Sequence, residues 1–347
     1  MRLIAVLEHF AHHNAQTSPD NMINYIHYDQ IVRPAAANYQ GGLMRMANGA
    51  IQVTAGMVGY KLNSLQAEYA VWKATRHSSN LIHFFNGDTN SKWMPYLKGN
   101  NRIITTYHQP PDYFYQFFKK CDHIRRLDTA LITSNALREL LSKYLPDDRI
   151  VFQPLAVDTE FFRPPEARAD NERKVCLMVG NWLRDFETAR KVMDDLSGRN
   201  DIEFHVISME ANRHHFAGCK NVIFRSGVPI ADYMDELHGA DLMMLPLKSG
   251  TSNLAVLEAM AVGLPVVTTD LPGTRDYVDP SFCALVKRGD SSGFGEAVIA
   301  LLADDQGRKD MSNRARQRAL KFSWPAVAER LMANYRDYGA TPKTTGQ

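Results

Sequence analysis

Short apolar runs alternate with longer amphipathic segments along most of the 347-residue chain. This alternation is typical of parallel β-sheets whose strands are joined by crossover helices, and it predicts an α/β fold. In the first half it predicts buried strands at residues 2–7, 50–53, 80–84, 102–106, 130–133 and 150–153. In the second half it predicts strands at residues 174–179, 202–207, 222–225, 242–245, 265–268 and 284–286, with helices at 186–196, 230–238 and 254–261.

A proline-marked stretch at 161–165, followed by the polar residues 166–174, separates the two halves and predicts a linker. A chain of this length exceeds one ordinary α/β core. We therefore predict two Rossmann-like domains facing a cleft, at residues 1–163 and 164–322, with a C-terminal helix at about 323–338 crossing back to the first domain. Ligands of open α/β sheets bind beyond the carboxyl ends of the strands, so we expect the chemistry in loops that follow strands.

The net charge of the chain, +2, is too small to indicate a nucleic-acid partner. Its distribution is uneven, because residues 1–150 carry 16 basic and 11 acidic residues, against 24 and 27 in the remainder. The first half also holds eight of the twelve histidines. A mildly basic half suits an anionic lipid surface or an anionic acceptor, although ordinary scatter of surface charge explains it as well.

Four cysteines lie far apart and form no CxxC pair: Cys121, Cys176, Cys219 and Cys283. Their spacing argues against a zinc knot and against a disulfide framework. No apolar run approaches the roughly 18 to 20 residues of a membrane span, and Glu8 interrupts the apolar start before it can serve as a signal-peptide core. We therefore predict a cytoplasmic protein, with peripheral contact at the inner face of the membrane as an open alternative.

The most diagnostic part of the chain is residues 245–276, LPLKSGTSNLAVLEAMAVGLPVVTTDLPGTRD. It predicts the end of a strand, a tight turn at Gly250 and a helix. The amides and the positive dipole end at a helix start favour an anion such as a diphosphate, whereas an ordinary capped helix is the alternative. The residues expected to hold the diphosphate or to cap the helix are Thr251, Ser252, Asn253 and Leu254.

One carboxylate interrupts the apolar series of this helix. Glu258 lies between Leu257 and Met260 in sequence, and a carboxylate is costly to bury without partners. A pair of ribose hydroxyls would satisfy it. A glutamate on an exposed helix face is the competing interpretation.

Residues 258–276, EAMAVGLPVVTTDLPGTRD, resemble the donor-site signature of the family 4 glycosyltransferases, which have the GT-B fold. The resemblance extends to SNALRELLSKY at 134–144, to VDTEFFRP at 157–164 and to FSW at 322–324. It covers most of the chain from about Leu81 onward, and its most specific part runs from Glu258 to Pro265.

The resemblance implies retaining transfer of a hexose-type sugar from a nucleotide-sugar donor, with a UDP-sugar favoured over a GDP-sugar, to a hydroxyl of a glycan, a lipid-linked or a small-molecule acceptor. It also implies that Glu258 binds the nucleotide ribose. We expect the base near residues 225–228, with Val228 as one contact. No cofactor and no metal are expected, because the chain has no DxD-type motif and Asp304-Asp305 lies in a late helix-loop segment.

The chain departs from the family pattern at Gly250. The family usually carries two glutamates seven residues apart, and the first of them, which contacts the donor sugar, is replaced here by this glycine. We expect the backbone amides of 250–253 and the side chain of Lys248 to substitute for it. An ordinary solvated lysine is the alternative for Lys248.

A second departure follows the strand at 174–179. The family places an arginine directly after a glycine and a lysine five positions further, whereas here Gly180 is followed by Asn181, and Phe186 takes the lysine position. Gly180 and Asn181 remain donor-binding candidates. We expect Arg184, in the same loop, to neutralise the diphosphate, with Lys248 as its helper. The alternative for Arg184 is a surface ion pair with Asp185 or a nearby acid.

Two polar residues follow strands of the first half. His108 is held between the strand at 102–106 and two prolines, so it can hydrogen-bond a sugar hydroxyl or move a proton, or it is simply a satisfied structural histidine. Asp88 follows the strand at 80–84 and is expected to orient the acceptor hydroxyl. A plain turn aspartate beside Gly87 explains it equally well.

The loop at residues 9–20 replaces the glycine-rich first loop of the family. Its polar residues include His9, His12, His13 and Asn14. The spacing of these histidines lacks a carboxylate or cysteine partner of the kind a metal site uses, so we expect no metal site. The aromatic run at 113–120 is typical of a packed helix, with lipid contact as the alternative.

Two other functions fit the same pattern. A sugar-nucleotide epimerase would use the same fold and the same kind of nucleotide-sugar site in the second half of the chain, but it needs no acceptor. A catalytically silent nucleotide-binding or glycan-binding protein is made plausible by the glycine at position 250. An NAD-dependent dehydrogenase is disfavoured, because no GxGxxG motif follows an early strand.

Overall fold

The computed structural model describes residues 1–8, 18–35, 41–167 and 172–345. These residues form two compact units. The N-terminal unit comprises Met1–Leu155 together with Trp324–Gln347, and the C-terminal unit comprises Ala156–Ser323. The division therefore precedes the proline-marked stretch at 161–165 that suggested a linker.

The N-terminal unit contains a parallel sheet of order β2-β1-β3-β4-β5-β6. Its strands are β1 (Arg2–Val6), β2 (Gln30–Val32), β3 (Asn80–Phe84), β4 (Arg102–Tyr107), β5 (Thr129–Ile132) and β6 (Ile150–Phe152). Its first helices are α1 (Gly42–Ala55), α2 (Leu62–Thr75), α3 (Met94–Leu97), α4 (Pro111–Phe117) and α5 (Arg138–Leu141). The strand order reverses between β1 and β3, which is where open sheets of this kind bind ligands.

One predicted strand of this unit is wrong. Residues 50–53 lie in α1, and the missing sheet position is taken by β2, which the apolar pattern did not reveal. A four-residue apolar run fits the period of a strand and of a helix equally well, so periodicity alone cannot assign it. β2 has only three residues at the sheet edge and none of them is fully buried, so it leaves no apolar signal.

The C-terminal unit contains a second parallel sheet, of order β12-β11-β10-β7-β8-β9. Its strands are β7 (Lys174–Val179), β8 (Ile202–Ile207), β9 (Val222–Arg225), β10 (Leu242–Leu245), β11 (Val266–Thr269) and β12 (Cys283–Val286). Its helices are α6 (Phe186–Asp195), α7 (Ile230–Gly239), α8 (Leu254–Ala261), α9 (Pro272–Arg275), α10 (Ser291–Ala303) and α11 (Asp305–Leu320). The predicted α/β fold is confirmed.

The strand order of the C-terminal unit has its own reversal point. β7 is the first strand, β8 and β9 lie on one side of it, and β10 to β12 lie on the other. The loops that follow β7 and β10 therefore lie at the reversal point, which is where open sheets of this kind bind ligands. β10 is buried along its whole length, as expected of a central strand covered on both faces.

Asp304 and Asp305 have structural partners. The Asp304 side chain accepts a hydrogen bond from the Gly307 amide at 2.8 Å and caps α11. Asp305 forms an ion pair with Lys174, with 3.7 Å between the ammonium nitrogen and the carboxylate oxygen.

Helix α12 (Trp324–Arg336) packs on the N-terminal unit, although the C-terminal unit precedes it in sequence. The Tyr335 hydroxyl lies 2.6 Å from Nδ1 of His83 in β3 and 3.1 Å from the hydroxyl of Tyr28. Nε2 of His83 lies 2.8 Å from the hydroxyl of Thr106 in β4. Burial, reinforced by the nearby His108, lowers the pKa of His83 to about 3.

We predict that the His83→Gln variant has a flatter stability profile in acid. The folded chain keeps His83 neutral down to about pH 3, whereas the unfolded chain takes up a proton near pH 6.5. The contribution of the neutral His83 to the free energy of unfolding is thus fully present above pH 6.5. It is lost as the pH falls from 6.5 to about 3. The free energy of unfolding should drop by about 2 kcal/mol between pH 6.5 and 5 through His83 alone.

Urea unfolding at several pH values measures this slope. The matched control is His77→Gln, at an exposed position, which should keep the slope of the unmodified chain. Equal slopes in the His83→Gln variant and the unmodified chain would contradict the assignment.

Candidate functional site

The loops after β7 and β10 are joined side by side at the carboxyl edge of the second sheet. The Asp185 amide donates to the carbonyl of Pro246 at 2.9 Å, and the Lys248 amide donates to the carbonyl of Leu183 at 3.0 Å. This antiparallel pairing fixes the β7 loop against the β10 loop at the point where the strand order reverses. Arg184 and Lys248, predicted to act together, are therefore held on neighbouring segments.

Arg184 lies against the backbone of Gly180. Its Nε donates to the carbonyl of Val179 at 2.7 Å, and its Nη1 donates to the carbonyl of Trp182 at 2.9 Å. Gly180 has a φ of +100°, and a Cβ there would come within 2.8 Å of the guanidinium carbon of Arg184. The positive φ favours a glycine at this position, and a larger residue would also displace the guanidinium that lies against it.

The proposed alternative for Arg184, an ion pair with Asp185, is not formed. The Asp185 carboxylate caps α6, accepting from the Thr188 amide at 3.2 Å and from the Thr188 hydroxyl at 2.8 Å. Burial lowers the pKa of Arg184 to about 10, while Tyr233 and Glu258 act in the opposite direction. The guanidinium is thus charged at neutral pH and poorly solvated, which favours a bound anion.

Helix α8 begins at a capped position. The Asn253 side chain accepts from the Ala255 amide at 3.1 Å, so one of the helix-start amides that were expected to meet a diphosphate is already satisfied. Thr251 is buried, and Ser252 and Leu254 are partly exposed. A small cavity at this helix start is lined by Leu247, Gly250, Thr251, Ser252, Asn253, Val256, Thr274 and Tyr277.

The backbone bends around Gly250, but the turn does not require a glycine. Its φ lies outside the left-handed region, and a Cβ there would meet only the Cδ1 atom of Leu247, at 4.0 Å. A side chain at position 250 would fit.

The glycine that shapes this loop is Gly273 in α9, which sequence reasoning missed. A Cβ on Gly273 would lie 2.7 Å from the Cα of Thr251 and would overlap the carbonyl oxygens of Gly250 and Thr251. The backbone of α9 therefore approaches the loop before α8 as closely as two backbones can. The LPGTRD sequence contains this glycine, but the sequence does not show which segment it touches.

Glu258 is 5% exposed, so the interpretation as a glutamate on an exposed face is wrong. The Tyr233 hydroxyl, in α7, donates to Oε2 of Glu258 at 2.6 Å. Burial and the neighbouring Glu258 raise the pKa of Tyr233 well above its ordinary value, so the hydroxyl remains a donor. Tyr233 was not predicted from sequence, because its contact with α8 is set by the packing of two helices that lie apart in the chain.

The remaining predicted donor-side residues lie at the same edge of the sheet. Asn181 has a bracing role, since its Oδ1 accepts from the Ser208 hydroxyl at 2.8 Å and from the Met209 amide at 2.7 Å. Val228 lies in the loop between β9 and α7 and is partly exposed. The Lys248 side chain is exposed, and its carbonyl accepts from Arg288 at 3.0 Å.

Asp88 and His108 are joined in the N-terminal unit. The His108 amide donates to Oδ2 of Asp88 at 2.9 Å, and Nε2 of His108 lies 2.8 Å from the carbonyl of Phe85. A carbonyl only accepts, so Nε2 carries a proton in this arrangement. Burial raises the pKa of Asp88. His108 and the hydrogen bonds that the carboxylate accepts from backbone amides act to lower that pKa. Asp88 thus positions His108.

Glu8 is a further polar residue at the carboxyl end of β1, where the first sheet reverses its order. Its Oε2 accepts from Asn90 at 3.0 Å and from the Thr89 hydroxyl. The amide of Glu8 donates to Oδ1 of Asn86 at 3.2 Å. Sequence reasoning used Glu8 only as a break in the apolar start, because its partners come from the loop after β3.

The predicted histidine-rich first loop lies largely outside the described residues, which do not include His9, His12, His13 and Asn14. Within the described ranges, no three side chains of His, Cys, Asp or Glu gather in a way that could hold a metal ion. Across those same residues, no helix has both the length and the apolar character needed to cross a membrane.

The chain has the GT-B fold of glycosyltransferases. It is similar to sucrose-phosphate synthase from Thermosynechococcus elongatus, with a TM-score of 0.69 and 16% identity over 98% of this chain and 99% of that chain. Anabaena HepE, in complex with UDP, gives a TM-score of 0.69 and 12% identity over 97% of this chain and 100% of that chain. At such identities the likeness concerns the fold.

Residues 173–304 match the family model described as "Glycosyl transferases group 1". Over 231 residues the chain is 28% identical to a D-inositol 3-phosphate glycosyltransferase of Geodermatophilus obscurus, which is 58% of this chain and 51% of that protein. The chain thus spans about half the length of the curated relatives it matches. The family match lies within the C-terminal unit and contains Arg184, Lys248 and Glu258.

We predict that the Gly273→Ala variant is destabilised by about 1 to 3 kcal/mol, because its new methyl group would overlap the backbone at Gly250 and Thr251. The loop before α8 must then shift, so nucleotide affinity should fall as well. Urea unfolding and nucleotide titration measure the two effects.

Gly295→Ala is the matched control for this prediction. Gly295 lies inside α10, and a Cβ there meets nothing within 4 Å. The helix should become more stable by up to about 1 kcal/mol, with no change in nucleotide affinity. If Gly273→Ala behaved like this control, the close approach would have no energetic role.

Proposed function

We propose that this protein is a retaining, metal-independent glycosyltransferase that moves a hexose-type sugar from a nucleotide-sugar donor to an acceptor hydroxyl. A UDP-sugar is the favoured donor, with a GDP-sugar as the alternative. The observation that carries the proposal is the buried Glu258, held by Tyr233 beside the poorly solvated charge of Arg184. These groups suit the ribose and the diphosphate of one ligand.

The proposed donor lies along the carboxyl edge of the second sheet. Glu258 accepts hydrogen bonds from the ribose hydroxyls, and Val228, in the loop after β9, lies near the base. The diphosphate rests at the start of α8, where Thr251 and the first-turn amides face the small cavity. Asn253 contributes through its cap, which fixes the direction of this helix start.

The proposed chemistry depends on charge at the leaving group. Departure of the nucleoside diphosphate leaves positive character on the anomeric carbon and negative charge on the phosphate. Arg184, Lys248 and the dipole of α8 stabilise that negative charge without a metal ion. Retention rests on the family resemblance, in which the leaving phosphate assists deprotonation of the acceptor on the same face of the sugar.

The acceptor side of the proposal involves the N-terminal unit. His108, positioned by Asp88, is the candidate for contact with a sugar or acceptor hydroxyl. The acceptor is a glycan, a lipid-linked or a small molecule. A cytoplasmic location, with or without peripheral membrane contact, completes the proposal.

The first test is nucleotide binding by the Glu258→Gln variant. A thermal-shift screen with UDP-, GDP- and ADP-sugars selects the nucleotide, and calorimetry then compares affinities. Loss of a charge-assisted hydrogen bond to ribose should weaken binding by about tenfold. Glu296→Gln, an exposed change in α10 of the same unit, should leave affinity unaltered. Unchanged affinity in the Glu258→Gln variant would remove the assigned role.

The second test is turnover by the Arg184→Ala variant. Removal of one fixed positive group that acts on the leaving phosphate should lower kcat by about 100-fold. Arg199→Ala, at an exposed turn where Arg199 pairs with Asp201, is the matched control. Full activity of the Arg184→Ala variant, with an unfolding temperature equal to that of the control, would contradict the proposed role of Arg184 at the leaving phosphate.

Product analysis with and without acceptor completes this second test. A transferase releases its product only when an acceptor is present, whereas an epimerase changes the donor alone. Absence of any donor turnover across diverse acceptors would instead favour a silent nucleotide-binding or glycan-binding protein.

A further inference from the structure

Helix α1 of the N-terminal unit carries a second apolar face on its outer side. Leu43, Met46 and Val53 are 84%, 74% and 76% exposed, whereas Asn48 and Ala55 are the fully buried residues of this helix and Ile51 packs against the core. At about 100° per residue, the three exposed side chains fall within one quadrant of the helix, opposite Asn48 and Ala55. An ordinary surface helix has an apolar stripe on its inner side only, so the outer face of α1 calls for an explanation.

Hydrogen bonds in the middle and at the C-terminal end fix the rotation of α1. In the middle, the Asn48 side chain faces inward and accepts from the Leu62 amide at 3.0 Å, at the start of α2. At the C-terminal end, the carbonyl of Gly56 accepts from the Lys119 amide at 2.7 Å, and the Lys120 ammonium donates to the carbonyl of Thr54 at 3.2 Å. The outward direction of the apolar face is therefore built into the unit.

The surroundings of this face carry positive charge. Residues 41–67 contain Arg45 and Lys61 but no aspartate or glutamate, and residues 113–121 contain Lys119 and Lys120 but no acid. Lys119 and Lys120 are exposed beside the C-terminal end of α1. An apolar helix face with a basic rim is complementary to an anionic lipid surface, which offers acyl chains and phosphates together.

We propose that α1 docks flat on an anionic bilayer. Leu43, Met46 and Val53 enter the boundary between headgroups and acyl chains, while Lys119 and Lys120 meet lipid phosphates. The docking itself does not depend on the proposed sugar transfer, because no residue of the donor site takes part. Only its use, to bring the protein to a lipid-linked acceptor, rests on that function.

Vesicle flotation tests the docking. The unmodified chain should float with vesicles of phosphatidylcholine and phosphatidylglycerol at about 0.1 M salt, and less with phosphatidylcholine alone or at about 1 M salt, where charges are screened. The Met46→Glu/Val53→Glu variant should bind the mixed vesicles at least about tenfold more weakly. The Lys119→Gln variant should bind more weakly at low salt and equally at high salt.

The matched control is Ile299→Glu/Leu320→Glu, which places the same charges on partly exposed apolar residues of the C-terminal unit. It should bind vesicles as the unmodified chain does. Circular dichroism and unfolding temperature check that each variant folds, and UDP binding should be equal in all of them, so that loss of docking and loss of donor binding are read separately.

Either of two outcomes would overturn the proposal. The unmodified chain does not float with the anionic vesicles, or the Met46→Glu/Val53→Glu variant floats as well as the control. If the unmodified chain binds no vesicles but forms a dimer in light scattering, and this variant dissociates the dimer, the face belongs to a second copy of the chain.

Discussion

The C-terminal unit is organised around a positive charge that is only partly exposed. Arg184 is held by two backbone carbonyls, and its guanidinium lies against the backbone of Gly180. The carboxylate of its neighbour Asp185 caps α6 and does not pair with it. The pairing of the β7 and β10 loops holds this charge at the carboxyl edge of a parallel sheet, where the buried Glu258 acts on it electrostatically.

The sequence predicts the regular part of this arrangement well. β3, β7, β8, β9 and β10 are short apolar runs followed by polar loops, and their predicted bounds agree with the structure. For β3, β7 and β10 the reason is burial on both faces of the sheet, whereas β9 is an edge strand without a fully buried residue. The same rule fails at residues 50–53, where the apolar run belongs to a helix: Ile51 packs against the core, whereas Val53 is exposed. A helix that is apolar on two sides breaks the premise that every apolar residue is buried.

Long-range contacts account for most of what the sequence did not reveal at the site. The burial of Glu258 could be anticipated from its apolar neighbours, but Tyr233 comes from another helix, and Gly273 acts on a loop more than twenty positions earlier in the chain. Gly250 is a different case. The sequence predicted a tight turn at this glycine, and the structure has room for a side chain there. Replacement of the family glutamate by glycine is therefore a chemical difference and not a steric one.

The membership of α12 in the N-terminal unit makes the C-terminal unit an insertion. Its two ends meet, since the Val157 amide donates to the carbonyl of Phe322 at 2.9 Å, so the chain enters and leaves that unit at adjacent points. During synthesis on a ribosome, the inserted unit is complete before Tyr335 is made. The contact between His83 and the Tyr335 hydroxyl can therefore form only afterwards. The first unit to begin is therefore the last to close its core, and the order of assembly runs from the middle of the chain outward.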